Sequence, residues 1–157
     1  MNWKLWLSET EVDLNRLNDI ARYLGEQVHG EDWIFLEGEL GAGKSTFVRF
    51  FLKAMGVEQE NQGSPTFSLA HEYIHDSIEF VHLDLYRLKH EQEIYDSGIE
   101  SFFTERKAVL LIEWGSLFPQ WMQKLLESSK QRSIFLVQLA HGKNELFRNI
   151  EIHQLGS

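Results

Sequence analysis

The octet Gly38-Glu-Leu-Gly-Ala-Gly43-Lys44-Ser45 constrains this 157-residue chain more than any other stretch. It fits G-x-x-x-x-G-K-[S/T] at every fixed position, a pattern that cradles phosphate groups. Glycines let successive backbone N–H groups turn inward where a Cβ would obstruct them. The helix expected to follow adds the positive end of its dipole. Composition alone would place such an octet in roughly four chains per thousand of this length. The flanks agree with the motif. Trp33-Ile-Phe-Leu36 reads as a short buried strand, and Phe47, Val48, Phe50, Phe51, Leu52 and Met55 mark an apolar helix face that Gly56 can close. Gly41, Ala42, Gly43, Lys44, Ser45 and Thr46 are therefore the candidate nucleotide-binding residues. Lys44 would reach the β- and γ-phosphates, and the Ser45 hydroxyl would ligate Mg²⁺.

Such a loop needs a carboxylate for magnesium from a neighbouring strand. Phe80-Val-His-Leu-Asp84 offers one, with His82, Asp84 and Tyr86 on one face by the period of two. ATP hydrolysis also needs a polar group to orient water. The position after Asp84 is Leu85, so the candidate is Glu113, which closes the apolar run Ala108–Ile112 and precedes Trp114. An acid there lies outside the carboxyl ends of the strands, where open α/β sheets bind ligands. It either orients water or ligates magnesium; the sequence leaves both open. In Ser64-Pro-Thr66-Phe67, Pro65 restricts the loop's path, and the Thr66 hydroxyl suits a sensor of the γ-phosphate. His71 and His75, four apart in an expected strand, have no carboxylate placed to complete a metal site.

The rest of the chain alternates strands and helices early and forms hairpins later. Asn2–Leu7 reads as a strand with Trp3, Leu5 and Leu7 on one side. Ser8-Glu-Thr-Glu11 has capping-box spacing, predicting a helix from about Thr10 to Gln27. Phe67–Ile74 and Glu79–Leu85 flank the turn-prone His75-Asp-Ser77, a hairpin signal. Glu91–Phe103 suggests one or two short helices broken at Gly98. Ala108–Trp114 is a buried strand, Leu117–Leu126 is partly helical, and Ser133–Ala140 and Phe147–Leu155 form a last strand pair. The expected architecture is an α/β domain spanning residues 1–157, a mixed sheet flanked by helices.

Composition removes other classes. Cysteine is absent, which excludes disulfide scaffolds, thiolate zinc sites and cysteine nucleophiles. The N-terminus lacks an apolar signal region, and the longest aliphatic run is far short of the ~20 residues of a membrane span, so a soluble cytoplasmic protein is expected. The formal charge is −9, divided into −11 over residues 1–103 and +2 over 104–157. That acidic majority disfavours unspecific nucleic-acid binding, which depends on phosphate neutralisation.

Taken in order, Gly38–Thr46, Ser64–Phe67, His82-Leu-Asp-Leu-Tyr-Arg87, Gly98-Ile99 and Ile112-Glu-Trp114 resemble the bacterial TsaE (YjeE) family of P-loop ATPases. The motifs span residues 38–114; beyond Trp114 the likeness is one of length and strand content. The resemblance implies an Mg²⁺-dependent ATPase of low intrinsic activity that supports threonylcarbamoylation of adenosine 37 in tRNA with the TsaB–TsaD pair. It also implies roles: Lys44 and Ser45 at the nucleotide and magnesium, Asp84 as the strand-borne acid, Thr66 as the switch threonine, and Glu113 as the acid before Trp114. This sequence has Ser45 where the family more often has Thr, and Phe67 where it tends to have Tyr.

Two other classes compete. A small-molecule P-loop kinase fits the size, but its lid normally clusters arginines on the transferring phosphoryl group. Here seven arginines are scattered from Arg16 to Arg148. A GTP switch would need an Asn-Lys-x-Asp stretch, and the chain contains none.

Overall fold

The computed structural model describes residues 1–58, 69–129 and 131–156. Ser64, Pro65, Thr66 and Phe67, including the expected switch loop, lie outside them. Among the described residues, seven strands form one mixed sheet in the order β1-β7-β6-β2-β5-β4-β3. The elements are β1 (Trp3–Val12), α1 (Leu14–Gln27), β2 (Trp33–Glu37), α2 (Lys44–Ala54), β3 (Ala70–His75), β4 (Ile78–Asp84), α3 (Gln92–Asp96), α4 (Glu100–Thr104), β5 (Ala108–Glu113), a 3₁₀ turn (Gly115–Leu117), α5 (Pro119–Ser128), β6 (Ile134–His141) and β7 (Arg148–Leu155). The four central strands β6, β2, β5 and β4 run parallel, and antiparallel strands close both edges.

Strands β2 and β5 are apolar up to their terminal glutamates because both sheet faces are covered there. Ile34 and Leu36 of β2, with Val109 and Leu111 of β5, face the core formed with α1 and α2. Trp33 and Phe35, with Leu110 and Ile112, face the second core, which gathers Ile94, Phe103 and Trp121 from α3, α4 and α5, and Ile99 at the N-cap of α4. Alternate residues thus serve different cores, and a one-residue slip would exchange the two sets. Gly98 has φ +80°, a left-handed geometry that separates α3 from α4. The β3–β4 turn places Asp76 and Ser77 at φ 49° and 66°, the twist that suits a two-residue hairpin.

The first helix differs from the sequence expectation. Residues 8–11 do not cap it but continue β1, which pairs with β7 as far as Val12. The cap is Asp13, whose Oδ1 accepts the Arg16 N–H at 2.8 Å. Glu11 instead takes φ 52° at a register shift, donates its N–H to Asn149 Oδ1 and accepts from Lys143 N. Partners on β7 satisfy a backbone that local spacing assigned to a cap. A second register shift between Leu5 and Leu7 also breaks the expected one-sided face. Trp6 and Leu7 reach the core, whereas Leu5 is exposed.

Candidate functional site

Parallel packing of β2, β4 and β5 brings three chain-distant segments to one end of the sheet. Asp84 pairs with Glu113 in register, and Leu36 pairs with Glu113 from the other side. The glycine loop leaves β2 directly after Glu37, so it arches over this strand-end row. Gly38, Gly41 and Gly43 adopt φ 149°, 79° and 108°, conformations that side chains rarely tolerate. Gly43 is the N-cap of α2 and supplies no side-chain acceptor. The first amides of α2, from Lys44 to Thr46, therefore face outward without a side-chain cap, the arrangement that favours an anion.

Lys44 is only 5% exposed. Its Nζ donates to the carbonyls of Gly38 (2.6 Å) and Glu39 (2.9 Å), folding back to brace the loop. The same ammonium sits 4.0 Å from the Trp114 ring centroid. Burial lowers its pKa below the ordinary lysine value, and the carboxylates of Glu113, Glu37 and Asp84 oppose that shift. Ser45 Oγ donates to Glu113 at 3.1 Å, although 68 residues separate them. Glu113 is 2% exposed, and its Oε2 lies 2.8 Å from His82 Nε2. A carboxylate only accepts, so His82 is the donor. Asp84 Oδ1 accepts the Tyr86 N–H at 3.0 Å, and the Asp84 carboxylate acts electrostatically on Lys44.

The expected Lys44, Ser45, Asp84 and Glu113 thus converge, with Gly41, Ala42, Gly43 and Thr46 around them; Thr66 lies outside the described residues. Among the described residues no three His, Asp or Glu side chains form a ready metal cluster. Magnesium rarely needs one, because it is held by one or two carboxylates plus substrate phosphates. Tyr86 does not remain on the strand face with His82; β4 ends at Asp84, and the Tyr86 ring packs at a tilt of 40° against Trp114, centroids 4.8 Å apart.

Three participants were not legible as site residues. His82 shared the face of Asp84 but had no stated partner, since its contact lies on β5. Glu37 immediately precedes the loop, and its Oε1 and Oε2 accept Ser116 N–H (2.8 Å) and Ser116 O–H (2.6 Å). Burial raises the Glu37 pKa, with the Ser116 bonds and Lys44 opposing. This carboxylate ties the turn after Glu113 to the strand that launches the glycine loop. Trp114 itself takes φ 67°, a strained value for an indole residue, and so turns over Lys44. The third is Arg148 of the C-terminal hairpin, which lies against Gly43.

No helix among the described residues is long and apolar enough to cross a membrane. Comparison with known proteins places the chain in a family. The family profile described as threonylcarbamoyl adenosine biosynthesis protein TsaE matches residues 12–145. A Rickettsia felis protein named tRNA threonylcarbamoyladenosine biosynthesis protein TsaE is 38% identical over 98 residues, covering 62% of this chain and 56% of its own length. The Nostoc protein of the same name is 38% identical over 122 residues, or 74% of this chain and 70% of its own length. Several such relatives, including that of Bacillus subtilis at 54%, are matched over little more than half their length. The crystal structure of YdiB from Bacillus subtilis shares the fold, with TM-score 0.69 and 23% identity over 99% of this chain and 89% of that one. The chain belongs to the TsaE family.

Proposed function

We propose that this protein binds and hydrolyses Mg²⁺–ATP and acts in tRNA threonylcarbamoyladenosine biosynthesis, supporting modification of adenosine 37 with the TsaB–TsaD pair in the cytoplasm. The observation that carries the reading is the Ser45–Glu113 contact beneath a glycine loop braced by Lys44. It joins a phosphate cradle to a buried strand-end acid. The names borne by the relatives supply the pathway.

The residues fit the nucleotide and its metal. Gly43 holds φ 108°, a conformation that side chains rarely adopt, so the cradle depends on its glycine. Ser45, Asp84 and Glu113 offer the hard oxygen donors that magnesium takes. When bound, Mg²⁺ neutralises charge that develops on the phosphate oxygens. The outward amides of α2 and the Lys44 ammonium would hold the β- and γ-phosphates. For that, Lys44 exchanges its carbonyl bonds for phosphate bonds. His82 holds one carboxylate oxygen of Glu113, leaving Glu113 oriented to position water for attack. Trp114 excludes solvent from the Lys44 side. Because no second-substrate motif accompanies the site, ATP serves as a switch, with Thr66 sensing the γ-phosphate and altering affinity for the partner pair.

The test is ATP hydrolysis by the protein alone, then with purified TsaB–TsaD and tRNA. Slow intrinsic hydrolysis accelerated by the pair is expected. Absence of nucleotide binding, or phosphate transfer to a small acceptor instead of water, would overturn it.

A further inference from the structure

All three positive-φ glycines of the phosphate loop abut the same element, the hairpin formed by β6 and β7. A Cβ on Gly38 would lie 2.2 Å from the Leu139 carbonyl oxygen, and one on Gly41 would lie 3.7 Å from His141 Cε1. A Cβ on Gly43 would lie 2.6 Å from Arg148 Nε and 2.9 Å from its Cδ. His141 and Arg148 are paired across the hairpin, and His141 Nε2 lies 3.3 Å from the Leu40 carbonyl. The loop is thus clasped by one strand pair, with Arg148 at the helix end of the clasp.

Arg148 is electrostatically incomplete there. Its Nη1 donates to the Glu145 carbonyl at 3.2 Å, but Nε is buried with no hydrogen-bond partner among the described residues. No carboxylate among the described residues forms an ion pair with it. Gly43 is also the N-cap of α2, where the helix presents its partial positive charge. A guanidinium beside a positive helix end, with a buried N–H left unpaired, is a poor arrangement for the protein alone. An anion at the loop corrects both defects. The planar guanidinium fork suits phosphate oxygens in particular.

We propose that Arg148 is a second phosphate-binding cation of the nucleotide site, contacting the phosphates shared by ATP and ADP from the wall opposite Trp114. This rests on the nucleotide-binding reading above and extends it beyond the family match, which ends at residue 145. It makes the hairpin part of the site, although the motifs end at Trp114. The contact is to ground-state phosphates, so it governs affinity for both nucleotides more than the rate of hydrolysis.

The experiment is calorimetric titration of the full-length protein with ATP and with ADP, for wild type, Arg148→Met, Arg148→Gln and Lys44→Ala, alongside thermal midpoints. Both Arg148 variants are expected to weaken ATP and ADP alike by tenfold or more. Their midpoints without nucleotide should fall little, because the buried Nε–H had no partner among the described residues and the only hydrogen bond lost is the exposed one from Nη1 to the Glu145 carbonyl. Affinities within twofold of wild type would overturn the proposal, as would a loss confined to ATP. If Arg148→Met does not fold, Arg148→Gln alone decides by the same criteria. Wild type that binds neither nucleotide removes the underlying reading and this proposal with it. Binding lost in Lys44→Ala but kept in both Arg148 variants removes this proposal only.

Discussion

Lys44 and Arg148 are two cations on one glycine loop, yet their surroundings are opposite. Lys44 is satisfied by two carbonyls, capped by Trp114 and acted on by three carboxylates. Arg148 has one carbonyl and a buried N–H without a partner among the described residues. The Lys44 wall stands on central parallel strands whose positions are fixed by two cores. The Arg148 wall stands on an antiparallel hairpin between β2 and the edge strand β1. The contrast teaches that one glycine loop can be braced on one side and left charge-unbalanced on the other.

The largest effect should come from joining the walls wrongly. Gly38→Ala would press a methyl onto the Leu139 carbonyl at a φ that side chains rarely adopt. We expect a loss of about 3 kcal/mol or more in unfolding free energy, measured by urea denaturation. Gly30→Ala, which meets nothing within 4 Å, should stay within about 0.5 kcal/mol. Equal behaviour of the two variants would refute the close hairpin contact.

Next in size, Lys44→Ala should reduce ATP affinity ~100-fold or more, equivalent to about 2.7 kcal/mol or more. The cost to the protein without nucleotide should be smaller, at most about 2 kcal/mol from two carbonyls losing their donor. Paired binding and thermal measurements check this. Unchanged affinity would show that the braced wall does not hold phosphate.

Glu113→Gln and Asp84→Asn separate the acids within the braced wall. Glu113→Gln should slow partner-stimulated hydrolysis by ~100-fold while ATP affinity stays near that of wild type. Asp84→Asn should instead raise the Mg²⁺ concentration needed for half-maximal rate. A Glu113 variant with the metal dependence of the Asp84 variant would make Glu113 a ligand.

The smallest effect concerns pH. Burial holds the Glu37 pKa above its ordinary value of 4.5. Between those values the native protein binds more protons than the unfolded chain, so stability falls as pH rises through that window. Glu37→Gln should flatten this decline in denaturant midpoints taken from pH 4.5 to 8. A parallel decline in both proteins would remove Glu37 as its source.

What the sequence by itself determined lies where local pattern and burial coincide. The octet, the apolar runs of β2 and β5 and the helix face of α2 were readable because periodicity and glycine spacing are local properties. So was the convergence of Asp84 and Glu113, since an acid ending a buried strand in an open α/β sheet can only meet the ligand edge. Only the tertiary structure decided that residues 8–11 pair with β7 instead of capping α1. The same holds for His82 donating to Glu113, Glu37 fixing Ser116, and Arg148 reaching Gly43. Each of these depends on a partner 31 to 143 residues away. No residue pattern within one segment encodes such a partner, because strand order and register, not local propensity, bring the two together.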